Sequence, residues 1–336
     1  MDRLDNTPFI IAEIGGNHEG DFAIAKDLLV QAAEAGADSV KFQIYSGDGI
    51  VNRQVSPERA AHFDRFSLTI DEYFELYELA KKNNVDFNAS IWNLELIAEF
   101  QHCLSFIKVG SGDLTAFQFL KHIVSFDLPI VLSTGLANYS EIDAAISFIN
   151  SQGKEKSKKN ELSILQCTSM YPIENEDANL AVIGGLKNRY PNNRIGYSDH
   201  TRGTEACKLA IALGAEILEV HFTDKSIKSN FRDHIVSLDA DDIKSLRKHA
   251  EVTSELLGSK DKKLTDIEHE NNHHVTFRRA LYLNKNMKTG SIIEATDIIS
   301  LRPEVGIPAN YFENLVGRKL IRDIKAFEPL TWESFI

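Results

Sequence analysis

The feature that most constrains the fold of this chain is a repeated alternation of short apolar runs with longer amphipathic segments, from Phe9 to about Leu257. Several amphipathic segments end at a glycine, as at Gly36 and Gly214, which is a common helix stop signal. Short strands that alternate with helices are typical of βα units around a parallel sheet. The predicted strands are residues 9–13, 39–43, 86–90, 106–110, 129–133, 162–167, 194–198 and 217–221.

Eight strands within roughly 250 residues are the size of a (β/α)8 TIM barrel. A doubly wound sheet is the alternative, and such a sheet usually opens with a glycine-rich dinucleotide-binding loop after its first strand. The segment Gly15-Gly16-Asn17-His18 follows the first predicted strand and lacks the GxGxxG spacing. We therefore expect an α/β fold with a TIM-barrel domain over residues 1–258.

The composition changes after this region. Residues 259–275 are polar and charged, which predicts a linker or an exposed crossing between domains. We interpret His269, His273 and His274 in this segment as a solvated face rather than a metal site. Residues 276–336 form a module with short predicted strands at 279–283, 290–292, 299–302 and 318–320. A module of this size buries little core, so we expect it to rest on another surface, which could belong to a partner chain.

Charge and composition exclude several classes of function. The formal net charge of −12 argues against nucleic acid binding, which needs clustered Lys and Arg, but a few buried lysines can still bind a small anion. We expect neither a membrane span nor a secretory signal, because no apolar run is long enough. Cys103, Cys167 and Cys207 are far apart and odd in number, so they offer no disulfide framework. We expect a cytoplasmic protein.

Two lysines lie at predicted strand ends, where the catalytic groups of a TIM barrel are found. Lys41 and Lys108 are embedded in apolar strands, where an unpaired ammonium group would be unfavourable. Two such lysines that converge need an anion between them, and a phosphate or a carboxylate would serve. The turn Gly110-Ser111-Gly112 adds backbone N–H donors for the same anion.

Two histidines, His200 and His221, lie at the ends of the last two predicted strands, which are neighbours in a closed barrel. Two neutral imidazoles in this position predict a two-ligand site for a divalent transition metal. Asp199 and Asp233 are nearby carboxylates that could complete the ligand set or hold a metal-bound water. The alternative is that one histidine belongs to the core and the other only forms hydrogen bonds.

Successive segments of the chain resemble, in the right order, the motifs of the sialic acid synthase family. The segments are residues 11–20, 40–43, 108–112, 132–135, 167–172, 196–201 and 221–223. Residues 278–279 and 299–303 are similar to parts of the family's C-terminal antifreeze-like SAF domain, a small β-clip fold. The family includes the synthases of neuraminic, legionaminic and pseudaminic acids and spore-coat polysaccharide relatives. The resemblance covers nearly the whole chain.

The resemblance implies that the chain condenses phosphoenolpyruvate with an N-acetylated amino sugar to give a nonulosonic acid and phosphate. The sugar would be N-acetylmannosamine or a 2,4-diacetamido-trideoxyhexose. The resemblance also implies a divalent metal, Mn²⁺ with Mg²⁺ or Co²⁺ as alternatives, and a domain-swapped homodimer. The alternatives are a catalytically silent sugar-binding protein, another phosphoenolpyruvate-dependent 3-deoxy-ulosonate synthase, and an aldolase with a Schiff-base lysine.

Residue roles are carried over from the family by position. Glu13 stands at the catalytic acid position, and His200 and His221 stand at the positions of the manganese ligands. The positions that bind phosphoenolpyruvate are Lys41, Ser90, Lys108, Ser111, Ser169 and Ser198.

The remaining implied roles concern catalysis and the sugar. Asp113 occupies a further catalytic position after the glycine-rich turn. Gln43, Tyr171 and Asp233 occupy positions at the sugar. Arg302 resembles the arginine that the SAF domain of the partner subunit inserts into the active site, where it serves both catalysis and sugar binding.

Three departures from the family pattern bear on specificity. Ser169 stands where neuraminic acid synthases commonly have Asn, and we expect the shorter serine to lose the contact to the phosphate or to make it through a water molecule. Asp113 replaces a usual Glu, and the loop 228–234 lacks the usual Pro-Gly-Pro before Asp233. We expect the last two changes to alter sugar recognition.

Overall fold

The structure, a computed structural model, describes residues 7–152, 161–229 and 231–336. The chain forms two compact units, of which the first ends at Gly258 and the second begins at Ser259. Within the described ranges, no helix is long and apolar enough to cross a membrane.

The described part of the first unit contains eight parallel strands in the order β3-β2-β1-β8-β7-β6-β5-β4, which form a nearly closed barrel. This arrangement confirms the predicted TIM-barrel fold. The strands are β1 (Phe9–Gly15), β2 (Ser39–Ile44), β3 (Asp86–Ile91), β4 (Ile107–Val109), β5 (Ile130–Ser133), β6 (Leu162–Cys167), β7 (Arg194–Asp199) and β8 (Ile217–His221).

Helices connect successive strands, and local sequence signals fix where several of them begin. Asp21 accepts hydrogen bonds from the backbone N–H groups at the start of α1, and Thr69 and Glu72 form a capping box at the start of α4. The helices are α1 (Phe22–Glu34), α2 (Gly47–Ile50), α3 (Pro57–Phe66), α4 (Ile70–Lys82), α5 (Leu94–Phe100), α6 (Phe117–Val124), α7 (Tyr139–Gln152), α8 (Val182–Arg189), α9 (Glu205–Ala212), α10 (Arg232–Val236) and α11 (Ala240–Leu257).

The barrel interior is apolar at the amino-terminal ends of the strands. A small buried cluster, separate from the one that joins the strands to the helices, consists of Phe9, Ile11, Phe106, Val131, Leu165 and Ile217. Residues two apart on a strand face the same side of the sheet, so the face of Ile11 continues to Glu13, and that of Ile217 continues to Glu219 and His221. The apolar floor therefore leaves the carboxyl-terminal end of the interior to polar side chains.

The side chain of Asn88 spans the seam between β3 and β4, the two strands at the ends of the sheet order. Its Oδ1 accepts hydrogen bonds from the backbone N–H groups of Ser105 and Phe106, both at 3.1 Å. Its Nδ2 donates to Ser39 Oγ at 2.7 Å and to Ser105 Oγ at 3.0 Å. Asn88 is fully buried, so these bonds satisfy its amide where the backbone ladder is interrupted.

The second unit contains a two-stranded antiparallel sheet, β9 (Ala280–Leu283) with β10 (Ile298–Leu301), and helices α12 (Asp266–Glu270), α13 (His273–Thr276) and α14 (Phe312–Leu315). The predicted strands at 290–292 and 318–320 are wrong, because these segments form only isolated bridges such as Ile292 with Lys319. Turns with positive φ at Gly290 and Gly317 interrupt both segments. The unit has a hydrophobic core of its own, which includes Leu281, Leu283, Ile307, Leu315, Leu320 and Leu330.

Candidate active site

A cavity of about 1070 Å³ opens at the carboxyl-terminal ends of the barrel strands. All the residues of the first unit to which the family resemblance gave a role line it, together with Ser133 and Glu219, and Asp199 does not. The predicted residues along its wall are Glu13, Lys41, Gln43, Ser90, Lys108, Ser111, Asp113, Ser169, Tyr171, Ser198, His200, His221 and Asp233.

Glu13 and Lys41 lie side by side on β1 and β2, which pair in parallel with these two residues in register. Lys41 Nζ lies 2.6 Å from Glu13 Oε2, and Gln43 Nε2 donates a hydrogen bond to Glu13 Oε1 at 2.7 Å. Lys41 Nζ also donates to Ser90 Oγ at 3.4 Å. The carboxylate of Glu13 is thus held from both sides inside the barrel.

Glu219 is the residue that sequence reasoning missed. Its two carboxylate oxygens lie 3.4 Å from Lys41 Nζ and 3.3 Å from Lys108 Nζ, so a side chain of the protein occupies the place predicted for an anion between the lysines. Lys108 Nζ also donates to Ser133 Oγ at 2.8 Å. The signal was present in the sequence, because Glu219 is two residues from His221 and therefore on the same face of β8.

The charges in this cluster follow from burial and from the mutual contacts of the groups. Burial raises the pKa of Glu13 to about 7, against the opposing effect of Lys41. Burial alone would also raise the pKa of Glu219, but the ammonium groups of Lys108 and Lys41 outweigh it and lower this pKa to about 2. The pKa of Lys41 is raised, because Glu13 and Glu219 together outweigh its burial. Glu13 is therefore the carboxyl group that can exchange a proton near neutral pH.

His200 and His221 lie together, with ring centroids 5.4 Å apart and the Tyr171 ring beside both. Burial lowers the pKa of His200 to about 4 and that of His221 to about 3, so both imidazoles are neutral at pH 7. His200 Nδ1 lies 2.7 Å from the carbonyl oxygen of Thr168. Because a carbonyl only accepts, Nδ1 carries the proton and Nε2 keeps a free lone pair.

The histidine pair fits a divalent metal that takes most of its other ligands from water or substrate. His221 Nδ1 is buried and has no hydrogen-bond partner, and Asp233 Oδ2 lies 3.9 Å from it. The described part of the chain contains no group of three side chains arranged to hold a metal. Two protein ligands with open positions would suit a catalytic rather than a structural metal.

Asp199 has a different role from the one considered for it. Its carboxylate accepts hydrogen bonds from Tyr197 Oη at 2.9 Å, the backbone N–H of Thr201 at 2.9 Å and Cys207 Sγ at 3.2 Å. The interpretation of Asp199 as a metal-side carboxylate is therefore wrong, because on β7 it alternates with Ser198 and His200 and points to the opposite face. Asp233, at the start of α10, is the carboxylate near the histidines.

The glycine-rich turn after β4 places Ser111 and Asp113 at the cavity. Ser111 Oγ accepts a hydrogen bond from the backbone N–H of Gly135 at 3.1 Å. A Cβ at Gly135 would lie 2.7 Å from Ser111 Oγ and 3.1 Å from the Cβ of Ser169, so only glycine allows these serines to approach. Asp113 Oδ2 accepts from Trp92 Nε1 at 2.9 Å, and burial raises the pKa of Asp113.

The outer part of the cavity is aromatic. We call Tyr45, His62, Phe63, Phe66 and Phe231 the aromatic wall; all five line the cavity. Four of them come from the end of β2 and from α3, and the fifth comes from the loop before α10. Of these five residues, the sequence analysis pointed only to Phe231, as part of the loop 228–234 that departs from the family pattern; Asn230 of that loop lies outside the described residues.

Arg302 belongs to the second unit. It is exposed, and its guanidinium carbon lies 5.1 Å from the centroid of the Phe277 ring. Its predicted role in an active site concerns a partner subunit and stays a prediction.

Comparison with known proteins gives matches along almost the whole chain. The NeuB family model matches residues 28–262, and the SAF domain model matches residues 278–336. An N,N'-diacetyllegionaminic acid synthase from Legionella pneumophila is 34% identical, over 97% of this chain and 94% of that protein. The N-acetylneuraminate-9-phosphate synthase of Homo sapiens is 32% identical, over 97% and 92% of the two chains. The crystal structure of an N-acetylneuraminic acid synthetase from Leptospira borgpetersenii, in complex with citrate, has a TM-score of 0.72 and 32% identity, and the match covers 80% of this chain and 92% of that one.

Proposed function

The chain belongs to the NeuB family and carries a SAF domain, and from this membership we propose that it is an enzyme that condenses phosphoenolpyruvate with an N-acetylated amino sugar. The products would be a nonulosonic acid and inorganic phosphate. The observation that carries the proposal is the convergence of Lys41, Lys108, Glu13 and the two histidines at the carboxyl-terminal mouth of the barrel.

The two lysines would bind the anionic groups of phosphoenolpyruvate. Lys41 and Lys108 both line the cavity and share one carboxylate, that of Glu219, and an incoming carboxylate or phosphate would take over part of the contacts that Glu219 now makes with the two ammonium groups. The serine hydroxyl groups around the cavity would donate further hydrogen bonds to the same anion. These serines are Ser90, Ser111, Ser169 and Ser198.

The bond-forming step would join carbon 3 of phosphoenolpyruvate to the aldehyde carbon of the open-chain sugar. Water then adds at carbon 2, and the tetrahedral intermediate expels phosphate to leave a 2-keto-3-deoxy sugar acid. Glu13 would deliver and accept the proton near carbon 2, because its pKa of about 7 lets it exist in both forms at neutral pH. Asp113, held by Trp92 Nε1, would be a second carboxyl group at the reacting centre.

His200 and His221 would hold a divalent metal, which we propose to be Mn²⁺. When bound, such a metal supplies Lewis acid polarisation of a carbonyl oxygen. The sugar would lie on the same side of the cavity, against Gln43, Tyr171 and Asp233.

We further propose a homodimer in which Arg302 of the partner subunit completes the site. The exposure of Arg302 on the second unit supports this assignment. Mixing an Arg302→Ala subunit with a Lys41→Ala subunit tests it, because a swapped dimer would contain one site with both native residues. We expect the mixture to recover activity that neither variant has alone; no recovery would contradict the swap.

The three cysteines, Cys103, Cys167 and Cys207, are buried and free, which supports a reducing compartment and hence the cytoplasm.

The proposed reaction is tested by incubating the protein with phosphoenolpyruvate, Mn²⁺ and a panel of N-acetylated hexosamines. We expect sugar-dependent release of phosphate, matched mole for mole by a nonulosonic acid detected by mass spectrometry. No release with any sugar would indicate a silent sugar-binding protein. Covalent trapping of pyruvate by borohydride would indicate an aldolase instead, but the raised pKa of Lys41 opposes this, since a Schiff-base lysine needs a lowered one.

A further inference from the structure

Three arginines line the outer part of the cavity. Arg59 and Arg65 lie on α3, and Arg232 is the first residue of α10. We call these three residues the arginine rim. All three are exposed, whereas the two lysines that line the same cavity, Lys41 and Lys108, are only 2% and 4% exposed. The rim is therefore the first positive charge that a molecule entering from solvent meets.

Each guanidinium of the rim lies over an aromatic ring, within the distance at which a cation is attracted to the face of a ring. The separations from guanidinium carbon to ring centroid are 5.9 Å for Arg59 and Phe63, 5.0 Å for Arg65 and Phe66, and 4.8 Å for Arg232 and Tyr171. A guanidinium stacked in this way keeps the N–H donors along its edge available to an anion. The rings therefore orient the rim before a ligand arrives.

Most of the positive charge of the rim is not neutralised by the protein. Within the described ranges, no carboxylate forms a salt bridge with Arg59 or Arg65, whose contacts are with rings. Arg232 Nε lies 3.2 Å from Asp233 Oδ1, but the Arg232 side chain is 62% exposed. Burial lowers the pKa of His62, and all three arginines lower it further, against the effect of Asp233. The three charges therefore act on one part of the cavity mouth.

The cavity differs in charge from the rest of the protein. The chain has a formal net charge of −12. Of the described residues that line the cavity, five are Lys or Arg and five are Asp or Glu, so the negative excess lies outside it. Glu19 is the one exposed acidic residue of this lining, and its Oε1 lies 3.3 Å from His234 Nε2. An anion is therefore repelled by the surface at large and attracted at the rim.

An attraction of this kind changes how fast an anion arrives. Fixed charges of one sign around a cleft raise association rates by roughly 10- to 1000-fold, and the effect falls as the ionic strength rises. Exposed charges act over about 30 Å at 0.01 M salt but over only about 10 Å at 0.1 M. The contribution of exposed arginines should therefore be large at low salt and should disappear at high salt.

We propose that the arginine rim captures phosphoenolpyruvate from solvent through its phosphate and carboxylate groups and guides it to Lys41 and Lys108. This inference rests on the proposed condensation, for which it adds the entry step of one substrate. The rim acts on the association of the anion and takes no part in the bond-forming step. Its effect therefore appears in the association rate constant and in the dependence of that constant on salt.

The test measures binding of phosphoenolpyruvate alone, without sugar or Mn²⁺, to three full-length proteins over a salt series from about 0.01 to about 0.2 M. The proteins are the native chain, a rim variant and a control variant. The rim variant carries Arg59→Gln, Arg65→Gln and Arg232→Gln. The control variant undergoes the same change of net charge at exposed positions on α4, α6 and α11 outside the cavity, through Lys82→Gln, Lys121→Gln and Lys248→Gln. Stopped-flow fluorescence of Trp92, which lines the cavity, reports the association rate constant.

We expect the association rate constant of the native and control proteins to fall several-fold as the salt concentration rises. That of the rim variant should be about tenfold lower than the native value at low salt. It should also stay level or rise with salt, because salt screens the repulsion by the remaining acidic surface. A rim variant that responds to salt as the native protein does, or a control variant that loses as much as the rim variant, would overturn the proposal.

A second measurement makes the comparison independent of the optical signal. Calorimetry gives the Kd for phosphoenolpyruvate at both ends of the salt series, and we expect a smaller salt dependence in the rim variant than in the control. Should the triple rim variant not fold, Arg65→Gln against Lys82→Gln gives the same comparison with a smaller difference.

The outcome for the rim is separate from that for the proposed reaction, because neither measurement involves turnover. Salt-dependent capture by the rim, without phosphate release from any sugar, would support the rim and refute the condensation. Condensation together with native salt dependence in the rim variant would support the condensation and refute the rim.

Discussion

Lys41 Nζ lies 2.6 Å from Glu13 Oε2, and both side chains are buried at the mouth of the barrel. The contact is short enough for an ion pair, yet burial raises the pKa of Glu13 to about 7. The pair therefore combines a lysine that stays charged with a carboxyl group that can gain or lose a proton near neutral pH.

The first prediction concerns pH. If protonated Glu13 is the acid in the proposed reaction, the rate of phosphate release should fall as the pH rises above about 7, because the acid form is lost. Glu13→Gln should lower kcat by roughly a hundredfold or more and remove this pH limb. A pH series of kcat on both proteins measures this. Glu34→Gln, on the exposed end of α1, is the control, and an unchanged pH limb in Glu13→Gln would exclude Glu13 as the titrating group.

The second prediction concerns Glu219. Glu219→Gln removes the carboxylate shared by two buried lysines, so the free energy of unfolding should fall by about 3 to 5 kcal/mol. Phosphoenolpyruvate should stabilise this variant more than the native protein, since the ligand restores an anion between Lys41 and Lys108. Thermal denaturation with and without the ligand measures both effects. Glu216→Gln, directly before β8 and outside the cavity, is the control. Equal ligand-induced shifts would contradict the proposed place of the anion.

The same substitution predicts a pH dependence of stability. The folded-state pKa of Glu219, about 2, is below its ordinary value of 4.5, so its contribution to stability is present above pH 4.5. That contribution is lost as the pH falls from 4.5 toward 2. The difference in unfolding free energy between the native protein and Glu219→Gln should therefore shrink over this range in denaturant titrations. A difference that grows on acidification would show that Glu219 is not held ionised.

The third prediction concerns the metal. His221→Asn removes one of the two imidazoles that would bind Mn²⁺. Loss of a residue that only supports a metal ligand weakens binding by roughly 10- to 100-fold, so we expect a larger loss of Mn²⁺ affinity here. Electron paramagnetic resonance titration of free Mn²⁺ measures the affinity without any turnover. His269→Asn, in an exposed helix of the second unit, should bind Mn²⁺ as the native protein does. Native affinity in His221→Asn, or full phosphate release in the presence of a chelator, would remove the histidines from the mechanism.

The fourth prediction concerns the barrel seam. Asn88→Ala leaves the backbone N–H groups of Ser105 and Phe106 without their acceptor, so it should destabilise the protein by about 2 to 4 kcal/mol. Chemical denaturation measures the loss, with the exposed Asn188→Ala as control. A change below about 0.5 kcal/mol would show that the seam does not depend on this side chain.

The strand pattern and the strand-end residues were predictable from sequence, because each is a local property. A buried strand is a short apolar run, and its carboxyl end is marked by the first polar residues, as at Lys41, Lys108, His200 and His221. The strands predicted at 290–292 and 318–320 were wrong because the prediction used only local composition. Local composition does not show that the turns at Gly290 and Gly317 leave these segments with isolated bridges in place of a ladder.

The sequence by itself determined the barrel, the positions of its eight strands along the chain and the chemical character of the barrel mouth, because apolar periodicity and polar strand ends are encoded within a few residues. Only the tertiary structure decided that Glu219 lies between Lys41 and Lys108, that Asn88 spans the seam and that Phe231 packs against Phe66. Each of these contacts joins residues far apart in the chain. Periodicity tells which face of a strand a side chain occupies, whereas register and barrel closure decide which side chain it meets.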